Sequence, residues 1–236
     1  HKPDRRQRQM CIRDRIMNVQ LNLDTLFNPK GIAVIGASTH PGKFGFVALH
    51  NILAAGFDGN IFATNPMTPE ILGVQTLESV KSIPANSIDV AMICLGPEQT
   101  IAVLPELAEK GVKAGFVVSG GFRESGFEGI ELEKELVEVA NSLEITIAGP
   151  NGQGFVSTPA NLCSQIVSPY PPLGNISIAS QSGNILSAML NQARARNIGI
   201  ARAISIGNQA QVDIAEYIRY FGNCLLYTSP SPRDLY

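Results

Sequence analysis

The sequence predicts an α/β fold: a Rossmann-like domain on a doubly wound parallel sheet, followed by the start of a second α/β domain. Three observations carry this. Short continuous apolar runs ending in Gly or Pro alternate with helical stretches, the pattern of βαβ crossovers. The residues just after each run are rich in Gly, Ser, Thr, Asn and Pro, as expected of strand-to-loop turns. The composition is that of an ordinary globular chain, with 44% hydrophobic and 16% charged residues and a high glycine count of 22 in 236 residues.

After LNLDTLFNPK, the run GIAVIG reads as a buried parallel strand, and the loop ASTHPGKFG leads into an apolar helix, FVALHNILAAG, closed by Gly56. NIFATNP is a second strand stopped by Pro66, and SIDVAMICL a third, followed by the helix PEQTIAVLPELAEKG. KAGFVVSGG is a fourth strand, and the charged amphipathic helix EGIELEKELVEVANSL leads into a fifth, EITIAGP. The stretch SPYPPLG, Ser168 to Gly174, holds three prolines and no periodicity, so it reads as a linker. The rhythm then restarts with NISIASQSGNILSAMLNQARARN and again with IGIARAISIGNQAQVDIAEYIRYFG. The expected boundaries are a first domain over 16–167, a linker over 168–174 and a second domain over 175–223 that is cut short.

The two ends read differently. Residues 1–15 carry six basic against two acidic side chains, and residues 224–236 are rich in Ser and Pro. Arg5 to Arg15 and Cys224 to Ser229 can be back-translated into an inverted DNA repeat that resembles the transposon-end adapter of sequencing libraries. Both ends are therefore expected to be adapter-derived and to carry no chemistry, leaving Ile16 to Asn223 as a fragment of a longer protein. The bland readings are a basic arm and a Ser/Pro linker. Without the ends, 11 basic face 17 acidic residues, a net charge of −6 that argues against a duplex nucleic-acid partner. No apolar run is long enough to span a bilayer, and the four cysteines lack metal-ligand spacing, so a reducing, cytoplasmic setting is the default.

In a parallel sheet ligands collect at the carboxyl ends of the strands. The informative segments are GASTHPGKFG, TNPMTP, LGPEQT, SGGFRE and GPNGQGF. The first joins a strand to a helix start, where backbone N–H groups and the helix dipole favour a phosphate or pyrophosphate; the alternative is a loop that merely turns tightly. Its pattern is Gly36, Ser38, Gly42 and Gly45 rather than GxGxxG, and the second strand ends in Thr64-Asn65-Pro66 without the carboxylate that holds a nicotinamide cofactor's ribose. ASQSGN sets Ser180, Ser182 and Gly183 at the second domain's first helix start, as an anion site or simply an N-cap and turn. A serine-hydrolase triad fails, because neither serine lies in GxSxG and no histidine follows His50. His40 reads as a solvated loop residue or a phosphate neighbour, and Cys94 and Cys163 receive no chemistry. Glu128, Glu131, Glu133, Glu135 and Glu138, with Lys134, read as the solvated face of a helix, whereas Arg123 and Glu124 stand where they can shape a pocket.

Taken together, LFNPKGIAVIGAS, TNP, SGGFRE, GPN, SQSG and ISIGNQAQVD resemble, in order and spacing, the NDP-forming acyl-CoA synthetases, relatives of the succinyl-CoA synthetase alpha subunit. The resemblance covers Leu26 to Tyr220 and implies a Rossmann-like CoA-binding domain followed by a truncated flavodoxin-like ligase domain. It implies coenzyme A near Gly36, Ser38, Gly42 and Lys43, with Asn65, Pro66, Ser119 and Gly120 lining the rest, and a phosphoryl group at Ser180, Ser182 and Gly183. It implies a small carboxylic acid as co-substrate, and ATP or ADP with Mg on an ATP-grasp domain or beta-type subunit outside this chain. The reaction would run through an acyl phosphate and a phosphohistidine whose His lies past the truncation. Two departures stand out: Met67 follows Asn-Pro where Lys is frequent, and Gly152 stands where the family commonly has Cys. The competing readings are an NAD(P)-dependent oxidoreductase domain and a non-catalytic CoA-sensing module of a protein acetyltransferase.

Overall fold

The protein is described from a computed structural model covering residues 21–166 and 170–223. The basic head, the Ser/Pro tail and Ser168 and Pro169 of the expected linker lie outside the described residues. A short helix α1 (Leu23–Phe27) precedes β1 (Gly31–Ile35), and α2 (Phe44–Ala55) leads to β2 (Asn60–Thr64). A hairpin of β3 (Glu70–Ile71) and β4 (Val74–Leu77) follows, then β5 (Val90–Ile93), α3 (Pro97–Glu109), β6 (Ala114–Val117), α4 (Phe127–Ser142) and β7 (Thr146–Ala148). The chain continues through β8 (Gly154–Ser157), β9 (Leu162–Gln165), β10 (Leu173–Ser180), α5 (Gly183–Ala195), β11 (Ile200–Ser205) and α6 (Ile214–Asn223).

The first seven strands form one sheet in the order β3-β4-β2-β1-β5-β6-β7. All neighbours are parallel except the β3–β4 edge. β1 is buried along its whole length, and its alternation divides the core: Ile32 and Val34 face α1 and α2, while Ala33 and Ile35 face α3 and α4. α2 stops where Gly56, at φ 76°, takes the left-handed conformation.

The β3–β4 hairpin is an element that sequence patterning does not announce. Its turn is Leu72-Gly73, with φ 55° and 81°, so a leucine occupies a left-handed position where Asn or Asp is the usual signal. The second hairpin, β8–β9, begins within the GPNGQGF segment, since Gly154 and Phe155 open β8. It belongs to the second sheet, ordered β10-β11-β8-β9, in which β10 and β11 are parallel and the remaining neighbours antiparallel.

The two units share a core. Phe27 of α1 meets Phe155 of β8 edge to face at 5.8 Å and stacks on Tyr220 of α6 at 5.5 Å. Asn51 of α2 donates Nδ2–H to the carbonyl of Gln165 at 2.7 Å.

Candidate functional site

The site is built from the loops at the carboxyl end of the first sheet. Gly36 sits at φ 84°, where a Cβ would come within 2.8 Å of Leu95 and 2.9 Å of the Cys94 carbonyl. Its N–H donates to Thr64 Oγ1 at 3.2 Å, and Ala37 N–H donates to the Thr64 carbonyl at 3.0 Å. The loop after β1 is thus pinned to the end of β2. Downstream, Ser38 Oγ accepts from His40 N–H at 3.1 Å, His40 Nδ1 accepts from Gly42 N–H at 3.0 Å, and the His40 carbonyl accepts from Lys43 N–H at 2.9 Å. His40 therefore organises the loop with its own ring.

Lys43, extended and exposed, stands at the N-cap of α2, which has no side-chain cap and no acidic residue in its first turn. That helix start is left positive, and the Ser38 hydroxyl, already accepting, keeps its proton to donate. Gly45 lets the helix lie against the loop: a Cβ there would meet the Gly36 carbonyl oxygen at 2.1 Å.

Asn65 plays a connecting part. Its Nδ2 donates to the Ala37 carbonyl at 2.9 Å, and its Oδ1 accepts from Met67 N–H at 2.8 Å and Thr68 N–H at 3.0 Å. The carboxamide bonds to backbone on both sides, whereas Pro66 and Met67 beside it are exposed, Met67 at 87%.

Ser119 and Gly120 follow β6. The Ser119 carbonyl accepts from Asn151 N–H at 3.0 Å, which ties this loop to the one after β7. Glu124 closes it, accepting at one oxygen from Gly121 N–H at 2.6 Å and Phe122 N–H at 3.3 Å. Partial burial would raise the Glu124 carboxyl, but hydrogen bonds from Asn208 and from these backbone amides outweigh it and hold it below its ordinary value.

Glu133 departs from expectation: it is 5% exposed and pairs with Arg123 Nε instead of facing solvent. The signal lay in the helical period, because Gly129, Glu133, Leu136 and Ala140 form the buried stripe of α4. Thr64 and Asn208, the other polar residues that order these loops, lie in TNP and ISIGNQAQVD, but neither is singled out there as a site residue. Cys94 follows β5, and burial pushes its thiol up to about 12, so it stays protonated near neutrality. Gly152 fits a narrow space, since a Cβ there would lie 2.4 Å from the Ser205 carbonyl and 2.6 Å from Phe116.

At the second helix start, Ser182 is the N-cap of α5 and its Oγ accepts from Ile185 N–H at 3.3 Å. Ser180 Oγ donates to the Ser182 carbonyl at 3.0 Å. Gly183 lies against Gln153, whose amide bonds Asn184 at 3.0 Å and Ser187 at 2.9 Å. The Ser180 proton is committed to the turn, while the Ser182 proton is available to an anion. The first group of expected site residues thus gathers at the first sheet's carboxyl end, and the three residues of the second group gather at the start of α5. Among the described residues no group of His, Cys, Asp or Glu is placed to hold a metal ion, and no helix is long and apolar enough to cross a membrane.

Comparison with known proteins places these loops in a family. Residues 30–158 match the model of a CoA binding domain, and residues 173–225 match a succinyl-CoA ligase like flavodoxin domain. The chain is 36% identical over 198 residues to acetate–CoA ligase [ADP-forming] I of Archaeoglobus fulgidus, covering 84% of this chain and 28% of that protein. It is 38% identical over 201 residues to the acetate–CoA ligase [ADP-forming] II alpha subunit of Pyrococcus furiosus, covering 85% of this chain and 43% of the subunit. Among solved structures, the dinucleotide-forming acetyl-coenzyme A synthetase 1 of Ca. Korarchaeum cryptofilum, in complex with phosphate and ADP, superposes with a TM-score of 0.80 at 35% identity, covering 86% of this chain and 43% of that one. The chain therefore spans less than half the length of each of these relatives.

Proposed function

The chain belongs to the CoA binding domain family, in the NDP-forming acyl-CoA synthetase arrangement with a flavodoxin-like domain behind it, and from that premise we propose that it is the CoA-binding part of an ADP-forming acyl-CoA ligase. The observation that carries the reading is the start of α2, which is uncapped, lacks acidic residues and is approached by a loop held open at Gly36. Gly36, Ser38, Gly42 and Lys43 would hold the phosphates, through backbone N–H groups, the free Ser38 proton and the Lys43 charge. Asn65, Pro66, Ser119 and Gly120 would shape the rest of the cleft, with Asn65 fixing the spacing of two loops. CoA supplies the thiol that accepts the acyl group.

In the second unit, Ser182 would donate to a phosphoryl oxygen at the helix start, Ser180 would hold the turn, and Gly183 would admit Gln153 beneath it. The parent enzyme would join a small carboxylic acid to CoA at the expense of ATP, with nucleotide and Mg held on an ATP-grasp domain or subunit. The three histidines of this chain, His1, His40 and His50, all precede the second unit, so the phosphoryl-carrying histidine would come from outside these 236 residues. The fragment is accordingly expected to bind CoA without ligating it, in a cytoplasmic setting.

The nicotinamide alternative is disfavoured by Asn65, which stands where a ribose-binding carboxylate would and whose Oδ1 already accepts from the Met67 and Thr68 amides. Isothermal titration with CoA and with NAD decides between them. Heat of binding with CoA and none with NAD is the expected result; NAD binding without a CoA response would overturn the proposal.

A further inference from the structure

The Ser119 to Glu124 loop is closed from outside its own unit. One Glu124 oxygen holds the Gly121 and Phe122 amides, and the other accepts from Asn208 Nδ2 at 2.5 Å. The same Asn208 nitrogen donates to Glu133 Oε2 at 2.9 Å, while Glu133 Oε1 pairs with Arg123. Asn208 lies in the loop after β11, in the second unit. That loop is seated on the first: Asn208 N–H donates to the Pro150 carbonyl at 2.9 Å, and Ala210 N–H to the Gly149 carbonyl at 3.1 Å. Gly207, at φ 54°, approaches so closely that a Cβ would lie 2.1 Å from the Pro150 oxygen.

We infer that Asn208 is a positioning residue: its one amide group, reaching across from the second unit, holds the Ser119 to Glu124 loop closed and couples that loop to the seating of the second unit. The physical reason is charge. Glu124 and Glu133 bring two carboxylates to one nitrogen, and Arg123 is the one cation paired with them among the described residues. The two protons of the Asn208 amide serve one carboxylate each. Without them the two acids face one another across an undercompensated gap, and the loop that Glu124 anchors opens.

The expected effect on ligand affinity rests on the CoA reading above, whereas the exchange measurement does not. In hydrogen exchange, Asn208→Ala should speed the Gly121 and Phe122 amides by about tenfold, the worth of a hydrogen bond to a charged group, while amides of β1 and β5 keep their rates. Asn208→Asp, which preserves shape but replaces the donor with a third carboxylate, should loosen the loop at least as much. In the cycle with Glu124→Gln, the double variant should exchange no faster than the worse single variant. CoA affinity should fall about fivefold in Asn208→Ala. Unchanged loop exchange in Asn208→Ala or Asn208→Asp, a uniform rise across β1 and β5, or additive effects in the cycle would each overturn the inference. If the unaltered protein binds no CoA, the functional reading fails on its own and the exchange data still decide the part played by Asn208.

Discussion

Replacing Gly45 with alanine sets two effects against each other in one helix. Inside a helix, Gly→Ala gains about 1 kcal/mol, from reduced backbone freedom in the unfolded chain and better propensity. Here, however, the new Cβ lands 2.1 Å from the Gly36 carbonyl oxygen and 2.9 Å from both Gly36 C and Ala37 Cα. Ordinary contact is about 3.5 Å, and all three obstacles are backbone, so no side chain can swing aside. Overpacking of this kind costs roughly 1–3 kcal/mol, and the severity of the overlap places it at the upper end. A net loss of about 1–2 kcal/mol follows. Gly222 in α6 supplies the internal control, because nothing among the described residues lies within 4 Å of its would-be Cβ. There the same substitution should be neutral or stabilise by up to about 1 kcal/mol. Urea unfolding of the two variants, with m-values matched to the parent, measures both. A Gly45→Ala protein as stable as the parent, or shifted in the same direction as Gly222→Ala, would refute the claim that α2 is wedged against the loop after β1.

Three further outcomes are expected. Ser182→Ala should cost about 1 kcal/mol through the lost N-cap and weaken phosphate retention at α5, while Ser180→Ala should leave phosphate retention the less affected of the two; thermal melts with and without inorganic phosphate separate these effects. Because the folded Glu124 carboxyl lies below its ordinary value, its support for the loop is present at neutral pH and is lost as pH falls through that lowered value; a carboxyl titration followed by NMR should give a midpoint below that of glutamate in an unstructured peptide. The Cys94 thiol, pushed up to about 12 by burial, should resist iodoacetamide at pH 8 in the native protein and react once urea is added, as read by peptide mass spectrometry.

Much of the sheet was legible because its strands are buried on both faces. GIAVI and VAMI are continuous apolar runs for that reason, and Gly56 marks the end of α2 by taking a conformation that suits glycine. The two hairpins were not legible. β3 and β4 are two and four residues long and turn through Leu72, so neither period nor turn chemistry announces them. β8 and β9 are short; β9 is held by β8 alone, and β8 is fixed on its other side by β11, roughly 45–50 residues further along the chain. Within the site, the post-strand rule located the loops but not their internal wiring. It could not show that the hydrogen bonds of the Asn65 side chain run to backbone, or that Ser180 and Ser182 differ in which proton is free. Glu133 was misread because charge outweighed position, although its place on the Gly129, Leu136 and Ala140 stripe already indicated burial.

The β8–β9 hairpin bears on how such a chain can be divided. It runs directly on from β7, before the proline-rich stretch at which one would cut, yet its backbone partner is β11 on the far side of that stretch. A cut in the proline-rich stretch would strip one side of β8 and one side of β11 together, leaving each half with a bare row of amides and carbonyls that invites pairing with other chains. The boundary that is convenient for cloning is thus not the boundary at which the backbone hydrogen bonds end, and either half expressed alone should self-associate unless the hairpin travels with β11.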